Sequence, residues 1–219
     1  MSTPIRLTTF KWVPPLVQGL VRDLRVRWAL EEAGLAYEEN LIDLGEHNGA
    51  VHRARQPFGQ VPVFEEGDLT LFETGSIVLQ IGERCPGLLP VDPIQRARAR
   101  TWMFAALNSV EPDVQNLATL DLFHSREEWA KVRRPGAEKM AQARLDAVAA
   151  TLAGRDYLER EFTAGDLMMV TVLRLLRHTR LVSDNTVLAA YVSRCESRPA
   201  FQRALEAQLA PFAQYAPAA

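Results

Sequence analysis

The sequence predicts an α/β domain followed by an all-α domain. Three observations lead there. The first 85 or so residues alternate between strand-type and helix-type patterns, the proline-rich stretch PGLLPVDP interrupts them, and from Pro93 onward the patterns are helical only. The expected boundaries are 1–85 for the first domain, 86–92 for the link and 93–219 for the helical domain. A chain of 219 residues accommodates one large domain or two small ones.

The elements follow in order. IRLTTF is rich in β-branched and aromatic residues and reads as a strand. A loop with Pro14 and Pro15 leads to DLRVRWALEEAG, a helix in which Val26, Ala29, Leu30 and Ala33 recur on one face. Asp23 is the expected cap, Arg27 and Glu31 the expected i, i+4 pair, and Gly34 the stop. AYEENLID is a second strand, and EHNGAVHRAR is polar and long enough for one or two helical turns. VPVF and LTLF form a hairpin around Gly67, with Pro62 where a strand tolerates a missing N–H donor. SIVLQIGERC is a third helix, ended by Pro86. The order β-α-β-α-β-β-α implies a mixed four-stranded sheet carrying helices.

Beyond the link, a helix opens at Pro93 and runs toward Glu111-Pro112. Ser125 and Glu128 have capping-box spacing, and PGAEKMAQARLDAVAATLAG is built of strong helix formers. FTAGDLMMVTVLRLL is apolar on almost every face, so it belongs at the centre, opened by Thr163 and Asp166 as a second capping box. Two helices near 186–196 and 199–209 and an Ala/Pro-rich tail, expected to fray, close the chain.

Composition narrows the function. Hydrophobic residues are 47%, charged residues 24%, and the net charge is −2. That balance gives no basic footprint for nucleic acid. No apolar run has the roughly 20 residues of a membrane span, and MSTPIRLTTF lacks the layout of a signal peptide, so the cytoplasm is the expected compartment. Cys85 and Cys195 form no CxxC, and the four histidines lack metal-ligand spacing, so no metal is expected.

Four stretches carry a resemblance: LRVRWALEEAGLAYE, QPFGQVPVFEEGDLTLFETGSIVLQI, the proline-rich link, and FTAGDLMM. Together they resemble the glutathione S-transferase superfamily across nearly the whole chain. The second is the most specific, with a polar residue before Val-Pro, then a hairpin, then a Glu-hydroxyl pair opening a helix. The resemblance implies a thioredoxin-like first domain that binds glutathione as cosubstrate. Val61 would pair its backbone with the peptide, with Pro62 turning the chain. Thr74 would hold the γ-glutamyl carboxylate, Glu73 the ammonium and Gln60 the glycyl end. His47 and Arg55 are further candidates for the glycyl carboxylate. A helix cap at Thr74 and a solvated Glu73 are the competing structural readings.

The same resemblance exposes a departure. The family places a Tyr, Ser or Cys after the first strand, and FKWVPPLVQGLVRD has none; Leu20 occupies the usual place of the serine. The candidates for stabilising the thiolate are Gln18 and Arg22 with backbone N–H groups around Gly19 to Arg22. Trp12, Trp102, Met103, Phe104 and Glu111 are candidates to line the pocket for a small hydrophobic electrophile, although core packing would explain most of them equally. The implied activity is glutathione transfer, with peroxide reduction as a further use of the thiolate and a homodimer as the assembly. The alternative is a non-catalytic interaction module of the same fold.

Overall fold

The computed structural model describes residues 3–217. The chain forms two compact units, Met1–Gly87 with Pro199–Ala219, and Leu88–Arg198.

In the first unit, β1 (Ile5–Phe10) pairs in parallel with β2 (Tyr37–Ile42) and antiparallel with β3 (Val63–Glu66), which pairs antiparallel with β4 (Leu69–Leu71). The sheet order is β2-β1-β3-β4. Gly67 lies at φ 59°, as the tight β3–β4 turn requires. Helices α1 (Asp23–Ala33), α2 (Ala50–Arg53) and α3 (Thr74–Gly82) complete this segment. Leu7, Val26, Leu30, Val63, Ile77 and Val78 are fully buried and form its core.

Two expectations about α1 need correcting. Asp23 does not cap the helix; Arg22 occupies the cap position and makes no side-chain cap bond. Asp23 is instead fully buried. It accepts from Thr9 Oγ1 at 3.1 Å, from Arg27 Nε at 2.7 Å and from Gln208 Nε2 at 2.7 Å. Arg27 does not pair with Glu31. It is fully buried between Asp23 and Glu39, also donating to the Tyr37 hydroxyl at 3.3 Å. Burial opposes its charge, yet Asp23, Tyr37 and Glu39 together outweigh that and hold its pKa above the usual arginine value. Glu31 pairs with Arg203 at 2.7 Å.

Arg203 and Gln208 lie on the last helix, α9 (Pro199–Gln214), which the sequence placed with the helical domain. In the structure α9 packs on α1, with Trp28 edge-on to Phe201 at 4.9 Å. The amphipathic pattern of α9 reveals an apolar face but not which surface that face meets. Of the Ala/Pro-rich tail, residues 218 and 219 lie outside the described residues, as does the start of the N-terminal stretch.

The second unit contains α4 (Pro93–Ala105), α5 (Glu111–Phe123), α6 (Glu128–Leu152), α7 (Ala164–Leu173) and α8 (Thr186–Glu196). Asp92 caps α4, accepting from Gln95 N at 2.8 Å, and a π-helical turn over Ala106–Val110 joins α4 to α5. Ser125 is not a cap: α6 starts with Glu127 at its cap position and no side-chain cap bond. The two helical stretches expected there form one 25-residue helix that includes Pro135. Pro135 is exposed, so water can satisfy the carbonyl that the proline leaves unpaired.

The capping box on α7 forms as the spacing predicts, and every residue of that helix is buried. Thr163 Oγ1 accepts from Gly165 N at 3.2 Å, and Asp166 Oδ2 accepts from Thr163 N at 2.9 Å. Asp166 Oδ1 also accepts from Leu158 N and from the Tyr191 hydroxyl, both at 2.9 Å. Burial raises its pKa, and these donors pull it back only in part.

Gly165 permits a close approach of α7 to α4. A Cβ there would lie 2.6 Å from Trp102 Cβ and 3.2 Å from the Ala99 carbonyl oxygen, so α7 and α4 would have to separate. Gly165→Ala is expected to destabilise the protein by about 1–3 kcal/mol through overpacking. Thermal unfolding checks this; an unchanged midpoint would show that the crossing can give.

Candidate functional site

Three chain segments meet at one end of the sheet. β1 and β3 are antiparallel with Thr8 opposite Val63, so the residues after β1 and before β3 lie at the same end. The Val61–Pro62 bond there is cis. β4 pairs no farther back than Phe64, which leaves the outer edge of Val61 to Val63 without a strand. Neither the N–H nor the C=O of Val61 has a hydrogen-bond partner among the described residues. An extended peptide can complete such an edge through main-chain bonds.

The N-terminus of α3 is the second segment. Glu73 precedes it at φ 68°, ψ 113°, the one non-glycine residue with positive φ among the described residues. Such a conformation costs on the order of 1–3 kcal/mol and persists where the surroundings enforce it. Its exposed side chain caps nothing. The amides of Thr74, Gly75 and Ser76 make no backbone bond, as expected of a first turn, and favour an anion. Thr74 is 6% exposed, and its Oγ1 accepts from Arg25 Nη1 at 3.3 Å. That bond leaves the hydroxyl proton of Thr74 available to donate and brings a guanidinium to the same corner.

The third segment is the loop after β1 with the start of α1, tied to α3 by the Arg25–Thr74 bond. Gln18 Nε2 donates to the Val13 carbonyl at 2.9 Å and braces the loop. Gly19 turns at φ 76°, Leu20 N donates to the Val17 carbonyl at 3.0 Å, and Arg22 stands at the helix start. Both strand threonines are already engaged: Thr9 donates to Asp23, and Thr8 accepts from Asn40 Nδ2 at 3.0 Å.

Gln60, Val61, Pro62, Glu73 and Thr74 thus lie along one end of the sheet, with Gln18 and Arg22 on the adjoining loop. His47 and Arg55 are occupied locally. The His47 ring contacts the Leu44 carbonyl and packs edge-on to Phe10, and Arg55 pairs with Glu65 at 3.1 Å. Trp12 is half-buried on the first unit. On the second unit, Trp102 Nε1 donates to Glu159 at 3.1 Å, Met103 is 1% exposed in the core, Phe104 is 53% exposed, and Glu111 is buried. The sequence reading missed Arg25, which is one of five charged residues in α1 and so carried no distinguishing signal, and His52, considered below. Among the described residues no group of three or more His, Cys, Asp or Glu could hold a metal, and no helix is long and apolar enough to cross a membrane.

Comparison with known proteins agrees with this geometry. Residues 15–83 match the family model of the glutathione S-transferase N-terminal domain. Glutathione S-transferase 4 of Zea mays is 31% identical over 99% of this chain and 98% of its own. Glutathione S-transferase F9 of Arabidopsis thaliana is 28% identical over 79% and 86%. Among solved structures, glutathione transferase F7 of Populus trichocarpa superposes with a TM-score of 0.79 at 24% identity, covering 93% of this chain and 99% of that one. A Pseudomonas putida glutathione transferase, solved with glutathione disulfide bound, gives 0.82 at 21% identity, covering 93% and 91%. A fold of this topology, a cis-proline corner beside an open helix N-terminus, and full-length similarity to the maize protein converge: the chain belongs to the glutathione S-transferase family.

Proposed function

We propose that the protein binds glutathione at this sheet end and activates its thiol for transfer to a small hydrophobic electrophile, with peroxide reduction open to the same thiolate. The observation that carries this reading is the unpartnered backbone of Val61 beside the open N-terminus of α3. Glutathione carries a peptide backbone, two carboxylates and an ammonium, and these segments offer a complement to each. Val61 pairs with the cysteinyl backbone at the corner set by Pro62. Thr74 and the α3 amides take the γ-glutamyl carboxylate, Glu73 the ammonium and Gln60 the glycyl end. The bound ligands of the similar Pseudomonas proteins, glutathione disulfide in one and two glutathione molecules in another, support the choice.

A free thiol titrates near about 8.5, and lowering that by two units takes about 2.7 kcal/mol of preferential thiolate stabilisation. With Leu20 where a hydroxyl would be expected, the proposed donors are backbone N–H groups around Gly19 to Arg22, assisted by the side chains of Gln18 or Arg22. Residues 1–85 are proposed as the glutathione-binding domain and the helices from Pro93 through α8 as the helical domain, with α9 packed back on the first unit. The two unpaired thiols, Cys85 and Cys195, support a reducing compartment such as the cytoplasm, and a homodimer is the assembly to test. A second reading, a glutathione-binding module without catalysis, is favoured by Leu20.

Thr74→Ala is expected to weaken glutathione binding by about 1–3 kcal/mol, measured by calorimetry on the folded variant. Equal affinity would remove Thr74 from the site. The ultraviolet thiolate absorbance of bound glutathione, titrated with pH, separates the two readings. A thiolate formed well below the free value marks an enzyme, and a free-like titration marks a binder.

A further inference from the structure

We propose that His52 is a positioning residue for the ligand edge: its imidazole orients the Gln60–Val61 peptide so that the Val61 N–H faces the bound tripeptide. The proposal deepens the glutathione-binding reading and rests on it.

The Gln60 carbonyl and the Val61 N–H belong to one peptide group. That bond is trans, the only cis bond among the described residues being the next one, Val61–Pro62. In a trans peptide the C=O and N–H point in opposite directions. Whatever holds the Gln60 oxygen therefore aims the Val61 hydrogen the other way. His52 Nε2 holds that oxygen at 2.7 Å. A carbonyl can only accept, so the proton resides on Nε2, which fixes the tautomer.

The imidazole has little else to do. His52 is 3% exposed, and its Nδ1 is buried without a hydrogen-bond partner among the described residues. A buried nitrogen left unpaired carries a desolvation penalty, which a side chain tolerated only for packing would not need to incur. The surrounding loop is fixed in support. Arg53 Nη1 donates to the Pro57 carbonyl at 3.0 Å, and Gln56 Oε1 accepts from Phe58 N at 2.6 Å. Gly59 turns at φ 64°, where a Cβ would come within 3.0 Å of the His47 carbonyl oxygen. With the loop ordered on its N-terminal side, the bond to His52 bears on the tilt of the Gln60–Val61 plane. His52 settles it before glutathione arrives, which lowers the ordering cost of binding.

The test compares His52→Leu with His52→Gln, whose terminal amide nitrogen can stand close to the Nε2 position. Glutathione affinity is measured by calorimetry, the thiol pKa by thiolate absorbance, and folding by melting temperature. His52→Leu is expected to bind glutathione about tenfold more weakly, with the pKa of the bound thiol and the KM for the electrophile 1-chloro-2,4-dinitrobenzene unchanged. His52→Gln is expected to recover most of the affinity. Equal affinity in a folded His52→Leu, or equal loss in both variants, would overturn the proposal. If the wild-type protein binds no glutathione, the ligand reading itself falls and takes this inference with it. Independently of any variant, nitrogen-15 spectra of wild-type His52 are expected to show the Nε2–H tautomer, and the Nδ1–H tautomer would overturn the assignment.

Discussion

Asp23→Ala is expected to destabilise the protein by about 4 kcal/mol. The substitution leaves the fully buried Arg27 with Glu39 as its remaining anionic partner, and Glu39 is itself partly exposed. It also strips the acceptor from Thr9 and one of two acceptors from Gln208, which keeps the Val21 carbonyl at 3.1 Å; both side chains are at positions water does not reach. Breaking one half of a buried pair is far more damaging than replacing both halves, because the surviving charge keeps its desolvation penalty. The double variant Asp23→Ala with Arg27→Met is therefore expected to be about 2 kcal/mol more stable than Asp23→Ala alone. Denaturant unfolding of the three proteins checks this. A double variant no better than the single one would mean that Asp23 acts through Thr9 and Gln208 rather than through charge.

Asp166→Ala is expected to cost about as much by another route. Three donors converge on that carboxylate besides the Thr163 hydroxyl: the amides of Leu158 and Thr163 and the hydroxyl of Tyr191. Each buried donor left without an acceptor costs about 1–3 kcal/mol, and the cap of α7 is lost as well. A loss of about 4 kcal/mol corresponds to a fall of about 10 °C in melting temperature for a chain of this size. At temperatures where the variant is folded, glutathione affinity is expected to stay within twofold of wild type, about 0.4 kcal/mol. Asp166 belongs to the second unit, whereas the proposed ligand residues all belong to the first. A native melting curve would contradict the capping role, and a large affinity loss would show that α7 shapes the ligand site.

These two carboxylates mark how far the sequence could be read. Asp166 was legible because its function is local: Thr163 lies three residues before it, and the spacing alone specifies the reciprocal bonds. The corner at Pro62 and the helix start at Thr74 were legible for the same reason, since both are short-range features, whereas the ligand roles proposed for Gln60, Val61, Glu73 and Thr74 come from the family resemblance. Asp23 misled because an aspartate ahead of an apolar helix has the look of a cap, and the residue that claims it, Gln208, is 185 positions away. Arg27 misled likewise, because its spacing to Glu31 suited a surface pair whereas its partners are a strand carboxylate and a buried aspartate. Ser125 had capping-box spacing but lies outside α6. His52 carried no signal, for the bond that matters is to a backbone oxygen whose importance depends on the ligand.

The packing of α9 on α1 has a consequence for biosynthesis. On the ribosome, the strands and helices of the sheet unit emerge first, but the face of α1 that carries Trp28 stays uncovered until Phe201 and its helix have been made. The whole of Leu88–Arg198 is translated in between, on the order of ten seconds at about 5–20 residues per second. During that interval Asp23 lacks Gln208, and the nascent chain exposes an apolar stripe that invites chaperones or misassembly. A fragment ending after residue 87 would keep that exposure permanently. The portion of the chain made first is thus the portion completed last.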